Sequence, residues 1–391
     1  MGPLAGVKVM EIAGVGPAPM CAMLLADLGA TVLRIERTAP VELGLERPPE
    51  LNLLNRGRQV VALDLKSKAG VEVALALAER ADVLIEGFRP GVMERLGLGP
   101  DACFERNQRL VYGRMTGWGQ DGPLADAAAH DLNYIAITGA LDAIGRKGQP
   151  PSIPLNLVGD FGGGALYLAL GVLAALSETS RSGLGQVVDA AIVDGTFSLM
   201  TMVYGNLAAG IWRPERGSNV TDSGAPFYNV YECADGKYVS IAAVELRFFR
   251  ELLDRMGIDE GMIPDRLDRS AWQETQGVLA ERFRTRTRSD WCAVLEGTDS
   301  CFAPVLSMTE AASHPHVKAR ESLIKIAGVT QPAPAPRFSR TVPDQPTPPR
   351  NVSRPEALGW LRHWVGDARF AGLEESGAIA AVSGTEGNTR H

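Results

Sequence analysis

Cysteine is scarce in this chain of 391 residues: Cys21, Cys103, Cys233, Cys292 and Cys301 are odd in number, far apart, and include no C-x-x-C pair. That excludes a disulfide framework and favours a reducing compartment. Histidine is equally sparse. His130, His314, His316, His363 and His391 stand in no metal-motif spacing with cysteines or carboxylates, so no metal is expected. His314-Pro315-His316 reads as a turn, because proline biases the residue before it away from helix. The N-terminus, Met1-Gly2-Pro3-Leu4-Ala5-Gly6, lacks the basic and apolar regions of a signal peptide, which predicts a cytosolic protein. The longest apolar run, Phe161 to Leu176, contains glycines and stops at Ser177-Glu178, short of the roughly 18 residues of a membrane span. No membrane partner is expected. A net charge of −7 argues against general nucleic-acid binding. G-x-S-x-G is missing, so a serine-triad acyl transferase is not expected.

What is present is the composition of an ordinary globular protein, 45% hydrophobic and 22% charged, long enough for two domains with large cores. The first third alternates strand and helix. Val7 to Ile12, Thr31 to Ile35, Val60 to Leu65, Asp82 to Phe88 and Val111 to Met115 read as strands, with helices over Pro19 to Leu28 and Ala69 to Arg80. Short apolar runs separated by amphipathic helices require parallel strands covered on both faces, the doubly wound, Rossmann-like α/β class. Helices are expected over Phe161 to Ser177 and, after a strand at Gln186 to Ala190, over Asp194 to Ala209 as one piece. A smaller α+β region follows, with strands at Phe227 to Glu232 and Lys237 to Ala243 and helices at Arg247 to Met256, Ala271 to Phe283 and Ser289 to Glu296. The proline-rich stretches 331–336 and 344–349 read as extended linker. Pro355 to Trp364 is a helix that could return to the first domain, ahead of a disordered tail from Ser383. The domain reading is therefore 1–190 large α/β, 191–225 linker helix, 226–325 small α+β, 326–350 linker, and 351–391 return and tail.

Two segments carry the chemistry. Ala129-His130-Asp131-Leu132-Asn133-Tyr134 offers an imidazole, and Gly159-Asp160-Phe161-Gly162-Gly163-Gly164 a carboxylate, each in a stretch poor in other charge. A base and an acid on separate elements suit a reaction in which a proton leaves one face of a carbon and returns to the other. Asp160 also reads as the N-cap of the apolar helix behind it, a role compatible with catalysis. Gly117-Trp118-Gly119-Gln120-Asp121-Gly122 fits G-x-G-x-x-G after a strand, yet Pro123 follows and no helix opens on the glycines. A nicotinamide site is not supported.

Taken together with Gly2-Pro3-Leu4-Ala5-Gly6-Val7-Lys8-Val9, Leu63-Asp64-Leu65-Lys66-Ser67, Ile85-Glu86-Gly87-Phe88-Arg89-Pro90-Gly91, Arg114-Met115-Thr116-Gly117-Trp118-Gly119-Gln120 and Val187-Val188-Asp189-Ala190, these segments resemble the family III CoA-transferase superfamily. His130 and Asn156-Leu157-Val158-Gly159-Asp160 are most similar to its α-methylacyl-CoA racemase branch. The resemblance spans nearly the whole chain; Ala129 departs from it, where glycine is usual.

The resemblance implies a ring-shaped subunit interlocked with its partner in a homodimer, and an acyl-CoA substrate with no further cofactor. It implies an isomerase whose proton-transfer residues are His130 and Asp160, with Glu245 of the small domain orienting the histidine across the subunit interface. Coenzyme A would be held by Arg37, Leu63, Lys66, Gly87, Phe88, Arg89, Arg95, Ala129, Asp131, Leu132, Asn133 and Tyr134. Cations on loops after parallel strands suit its phosphates. The glycines 162 to 164 would admit the thioester to the helix backbone, whose N–H groups around Gly159 to Gly162 would hold an enolate oxygen; tight helix packing is an equally good use for them and is compatible with the first. Met200, Met202, Tyr204 and Leu207 offer an apolar surface for a fatty or sterol-like acyl chain. The alternative within the superfamily is a CoA-transferase with Asp160 as nucleophile, which has no evident use for His130.

Overall fold

A computed structural model describes residues 1–39 and 47–385; the last part of the tail, 386–391, lies outside them. The chain divides into two units, one made of Met1–Thr138, Leu155–Leu199 and Ser322–His391, the other of Gly139–Pro154 and Met200–Glu321.

The first unit is built on the strands expected from their short apolar runs: β1 (Lys8–Ile12), β2 (Thr31–Glu36), β3 (Arg58–Leu63), β4 (Val83–Glu86), β5 (Val111–Thr116) and β6 (Val187–Ala191). They pair in parallel in the order β3-β2-β1-β4-β5-β6, and a short strand, Val382–Ser383, adds antiparallel to β3 at the edge. Alternate residues face opposite layers. Met10, Ile12, Leu33, Ile35 and Val61 pack on α2 (Lys68–Ala78) and on the C-terminal helices Arg354–Val365 and Asp367–Glu375, whereas Val9, Val32, Val83, Ile85 and Val111 pack on α1 (Pro17–Asp27) and the long helix described next. The return of the C-terminus is sealed by Trp364, whose indole N–H donates to the Leu77 carbonyl at 3.1 Å.

The strand order reverses between β1 and β4. In open α/β sheets that switch point opens a crevice outside the carboxyl ends of the strands. Two further helices reach it with residues near their starts: α3 (Asp131–Ile137) and the apolar helix Leu157–Ser182, whose first nine residues, Leu157–Ala165, wind as a π-helix before α4 (Leu166–Ser182). This overturns two sequence expectations. Asp160 is no N-cap, because the helix already begins at Leu157, and the helix is long and apolar enough, by length and composition, to cross a membrane. One of its faces is nonetheless spent on the sheet, through Leu168, Ala169, Val172 and Ala175.

The helix expected over Asp194 to Ala209 is two, α5 (Ile192–Leu199) and α6 (Thr201–Ala208), interrupted at Met200. Within α5 the Thr196 hydroxyl donates to the Ile192 carbonyl at 2.8 Å, a back-bond that bends helices. Part of the stretch expected as linker is likewise a hairpin, Leu323–Ile326 with Val329–Pro332. Its Gln331 is buried and accepts from Arg56 at 3.0 Å.

In the second unit, β7 (Tyr228–Glu232), β8 (Tyr238–Ala242) and β9 (Phe302–Pro304) form an antiparallel sheet, and α7 (Leu246–Met256), α8 (Trp272–Phe283) and α9 (Arg288–Leu295) complete an α+β core. Phe227, Phe249, Phe283 and Trp291 fill it.

Candidate active site

A cleft of about 430 Å³ opens at the switch point of the first unit's sheet. Its walls are the loops after β1 (Val15 to Ala18), β4 (Gly87 to Pro90) and β5 (Met115 to Trp118), closed by Ala125, Ala127 to His130, Asn133, Tyr134, Asp160 and Ile192. The two residues singled out for proton transfer therefore share one cavity.

His130 immediately precedes α3, in extended conformation, and its position is set by the backbone around it. Its N–H donates to the Asn133 side chain at 3.1 Å, half of a capping box, so Asn133 serves the helix start as well as lining the cleft. Tyr134 donates its hydroxyl to the Ala129 carbonyl at 2.7 Å, and its ring meets Trp118 edge to face, centroids 4.7 Å apart. The imidazole itself is exposed.

Asp160 sits inside the first turns of the π-helical segment, half-buried. The wider winding is visible in the bond from the Phe161 N–H to the Asn156 carbonyl, five residues back. Such segments cluster at functional sites because they turn one side chain out of helical register. The Asp160 carboxylate lies against Gly16, where a Cβ would come within 3.3 Å of Oδ2 and where φ is +70°, so glycine suits that position twice over. Burial pushes the Asp160 carboxyl above the ordinary carboxylate range; Asp131 adds to the rise, while the amide of Asn156, donating to Oδ2 at 3.3 Å, and His130 oppose it. Burial and Asp160 together raise Tyr134, and Arg89 opposes that shift.

Of the twelve positions expected to hold coenzyme A, Gly87, Phe88, Arg89, Ala129, Asn133 and Tyr134 line the cleft. Arg37 follows β2 and lies over the Phe88 ring at 5.6 Å, and Lys66 and Arg95 are exposed on the segments after β3 and β4. These cations thus lie beyond the carboxyl ends of neighbouring strands. Leu63 is different: its side chain is buried in the core, leaving only backbone to offer. Leu132 is exposed outside the cleft lining, and the Asp131 carboxylate is buried beneath the helix that carries Asp160. Glu245 lies in the second unit, exposed, immediately before α7.

Three of the expected oxyanion donors are already engaged within the protein. The N–H groups of Gly159 and Asp160 both donate to Asp131, and that of Phe161 to Asn156. Packing also explains the glycines that follow. A Cβ on Gly163 would come within 2.6 Å of the Thr196 hydroxyl and 2.8 Å of its backbone nitrogen, and one on Gly164 within 3.1 Å of Ile192 and Pro17. Both let α5 and α1 close on the helix, which is the tight-packing role expected of them.

Sequence reasoning missed Val15, Gly16, Pro17, Trp118 and Glu86. Gly14-Val15-Gly16-Pro17 follows the first strand directly, and position after a parallel strand was the available signal. Glu86 ends β4, buried, accepts the Phe88 N–H at 2.6 Å and pairs with Arg114 at 3.0 Å. Burial outweighs both partners and pushes its carboxyl up to about 7.

The CoA-transferase family III model matches residues 4–360. The chain belongs to that family. It is 43% identical over 351 residues to a mouse (Mus musculus) alpha-methylacyl-CoA racemase, a match spanning 90% of each chain, and 40% identical over 339 residues to the human (Homo sapiens) alpha-methylacyl-CoA racemase, spanning 86% of this chain and 87% of that one. The crystal structure of a CaiB/BaiF family protein from Brucella suis superposes with a TM-score of 0.79 at 25% identity, covering 93% of this chain and 100% of that one. This family member thus pairs a Rossmann-order sheet with an imidazole and a carboxylate in one cleft.

Proposed function

We propose that this family member inverts the α-carbon of 2-methylacyl-CoA thioesters, an isomerase reaction that needs no cofactor beyond the coenzyme A of its substrate. The observation that carries it is the presence of both His130 and Asp160 in the cleft at the strand-order reversal, in a chain 43% identical to a racemase. A thioester acidifies the adjacent carbon. His130 takes the α-proton from one face, the C–H electron pair moves into the enolate with its charge on the thioester oxygen, and Asp160 returns a proton to the opposite face; the reverse reaction exchanges the two roles. The raised Asp160 carboxyl suits this, because a carboxylate that holds its proton more tightly is the stronger base toward a carbon acid. Arg37, Lys66, Arg89 and Arg95 would hold the phosphates of coenzyme A. The working unit would be a homodimer in which Glu245 of one copy reaches His130 of the other.

The test is one epimer of a 2-methylacyl-CoA in deuterated water with no acceptor acid. Epimerisation with deuterium entering the α-carbon is expected, and His130→Ala and Asp160→Asn should each lower kcat by about 100-fold or more. Turnover that appears only when a carboxylate acceptor is added would overturn the reading in favour of a transferase with Asp160 as nucleophile.

A further inference from the structure

The Asp131 side chain performs a task other than holding coenzyme A. It is 6% exposed; its Oδ2 accepts the Asp160 N–H at 2.6 Å and is joined by the Gly159 N–H, while its Oδ1 is buried without a hydrogen-bond partner. Gly159 is what allows the approach, since a Cβ there would lie 2.5 Å from Oδ2. Burying a carboxylate with one oxygen unsatisfied costs free energy. Packing alone would be served as well by an apolar side chain. The charge is offset by the positive end of the helix it caps. Its place in the chain gives the second half of the argument, because Asp131 is the first residue of α3 and follows His130 directly. One side chain therefore joins the segment bearing His130 to the segment bearing Asp160.

We propose that Asp131 is a positioning residue for proton transfer, fixing the separation and facing of His130 and Asp160 through its carboxylate at the start of the long helix. The proposal rests on the reading that those two residues move the proton. A misplacement of about 1 Å at such a pair can cost two orders of magnitude in rate. The same negative charge acts on the ionisation of Asp160 from behind. The other groups around that carboxyl are Asn156, immediately before its helix, His130 and Tyr134 from the α3 region, and Arg89, which acts on Tyr134 from the loop after β4. Asp131 is the anion among them, so removing its charge makes Asp160 the stronger acid.

The experiment uses the full chain and the deuterium-exchange assay, comparing Asp131→Asn, Asp131→Ala and Asp160→Asn for kcat, KM and pH profile. In Asp131→Asn the amide oxygen keeps both N–H bonds and the charge is gone. Its acid limb should move to lower pH in the direction in which Asp160 is the base, with KM changed by no more than about twofold. Asp131→Ala should lower kcat by about tenfold or more at a similar KM. Should the alanine variant not fold, the asparagine variant decides alone. An unaltered kcat in the alanine variant, an unmoved acid limb in the asparagine variant, or a raised KM at constant kcat marking a coenzyme contact, overturns the positioning role. An active Asp160→Asn would sink the proton-transfer reading, and the role of Asp131 with it; an inactive one beside an unaltered Asp131 series sinks the latter alone.

Discussion

Asp160 works with the proton affinity its surroundings allow, and Asn156 is the neighbour most easily changed without touching the helix start. Its amide donates to the carboxylate and so favours the charged form, against the burial that disfavours it. As a base, Asp160 is competent above its own pKa and loses activity as pH falls through it. Asn156→Ala removes the opposing bond, so the acid limb of deuterium incorporation should move to higher pH; a limb that stays put or moves down would show that the bond does not act on Asp160. At this scale the sequence was informative about identity and poor about direction. His130 and Asp160 could be named from residue type and resemblance, and both reach the cleft. Asp131 and Leu63 were grouped with the coenzyme by the resemblance of the segments that hold them, yet their side chains are buried in the protein. Chain adjacency says nothing about which way a side chain leaves a helix start or a strand end.

At the scale of elements, short continuous apolar runs made the parallel strands legible, because strands covered on both faces leave little freedom of composition. The π-helical opening of the long helix was not legible. It packs where Gly163 and Gly195 meet backbone to backbone, a Cβ on Gly195 lying 1.9 Å from the Gly163 carbonyl oxygen, and such a contact between residues far apart in the chain leaves no local sequence pattern. The hairpin Leu323–Pro332 was hidden for the same reason. It is tied to the sheet end of the same unit by Arg56, which donates to the Pro332 carbonyl at 2.6 Å and to Gln331, and pairs with the buried Asp27 at 3.0 Å. Arg56→Ala would leave Asp27 as an uncompensated buried charge and free the hairpin. A loss of about 3–5 kcal/mol in urea unfolding is expected; a change under about 1 kcal/mol would show that water reaches Asp27.

For the molecule as a whole, one surface stands out. Leu157, Leu166 and Leu170 on the long helix are 53–63% exposed, and Phe197 and Leu199 on α5 are 41% and 49% exposed. A helix with apolar residues on both faces calls for cover on both. The proposed homodimer would supply it. Leu166→Lys with Leu170→Lys should lower the sedimentation mass to that of one chain and abolish epimerisation, since Glu245 would then have no second copy to serve; a fully active single chain would sink the dimer requirement. By itself the sequence determined the fold class, the family and the two proton-transfer candidates, because local apolar periodicity and residue chemistry travel with the chain. Only the tertiary structure decided that the cleft lies where β1 and β4 part, that Asp131 holds the helix bearing Asp160, and that the helix-start N–H groups are already engaged. Those outcomes depend on strand order and on contacts between distant segments, and backbone hydrogen bonds are assigned only once the segments have packed.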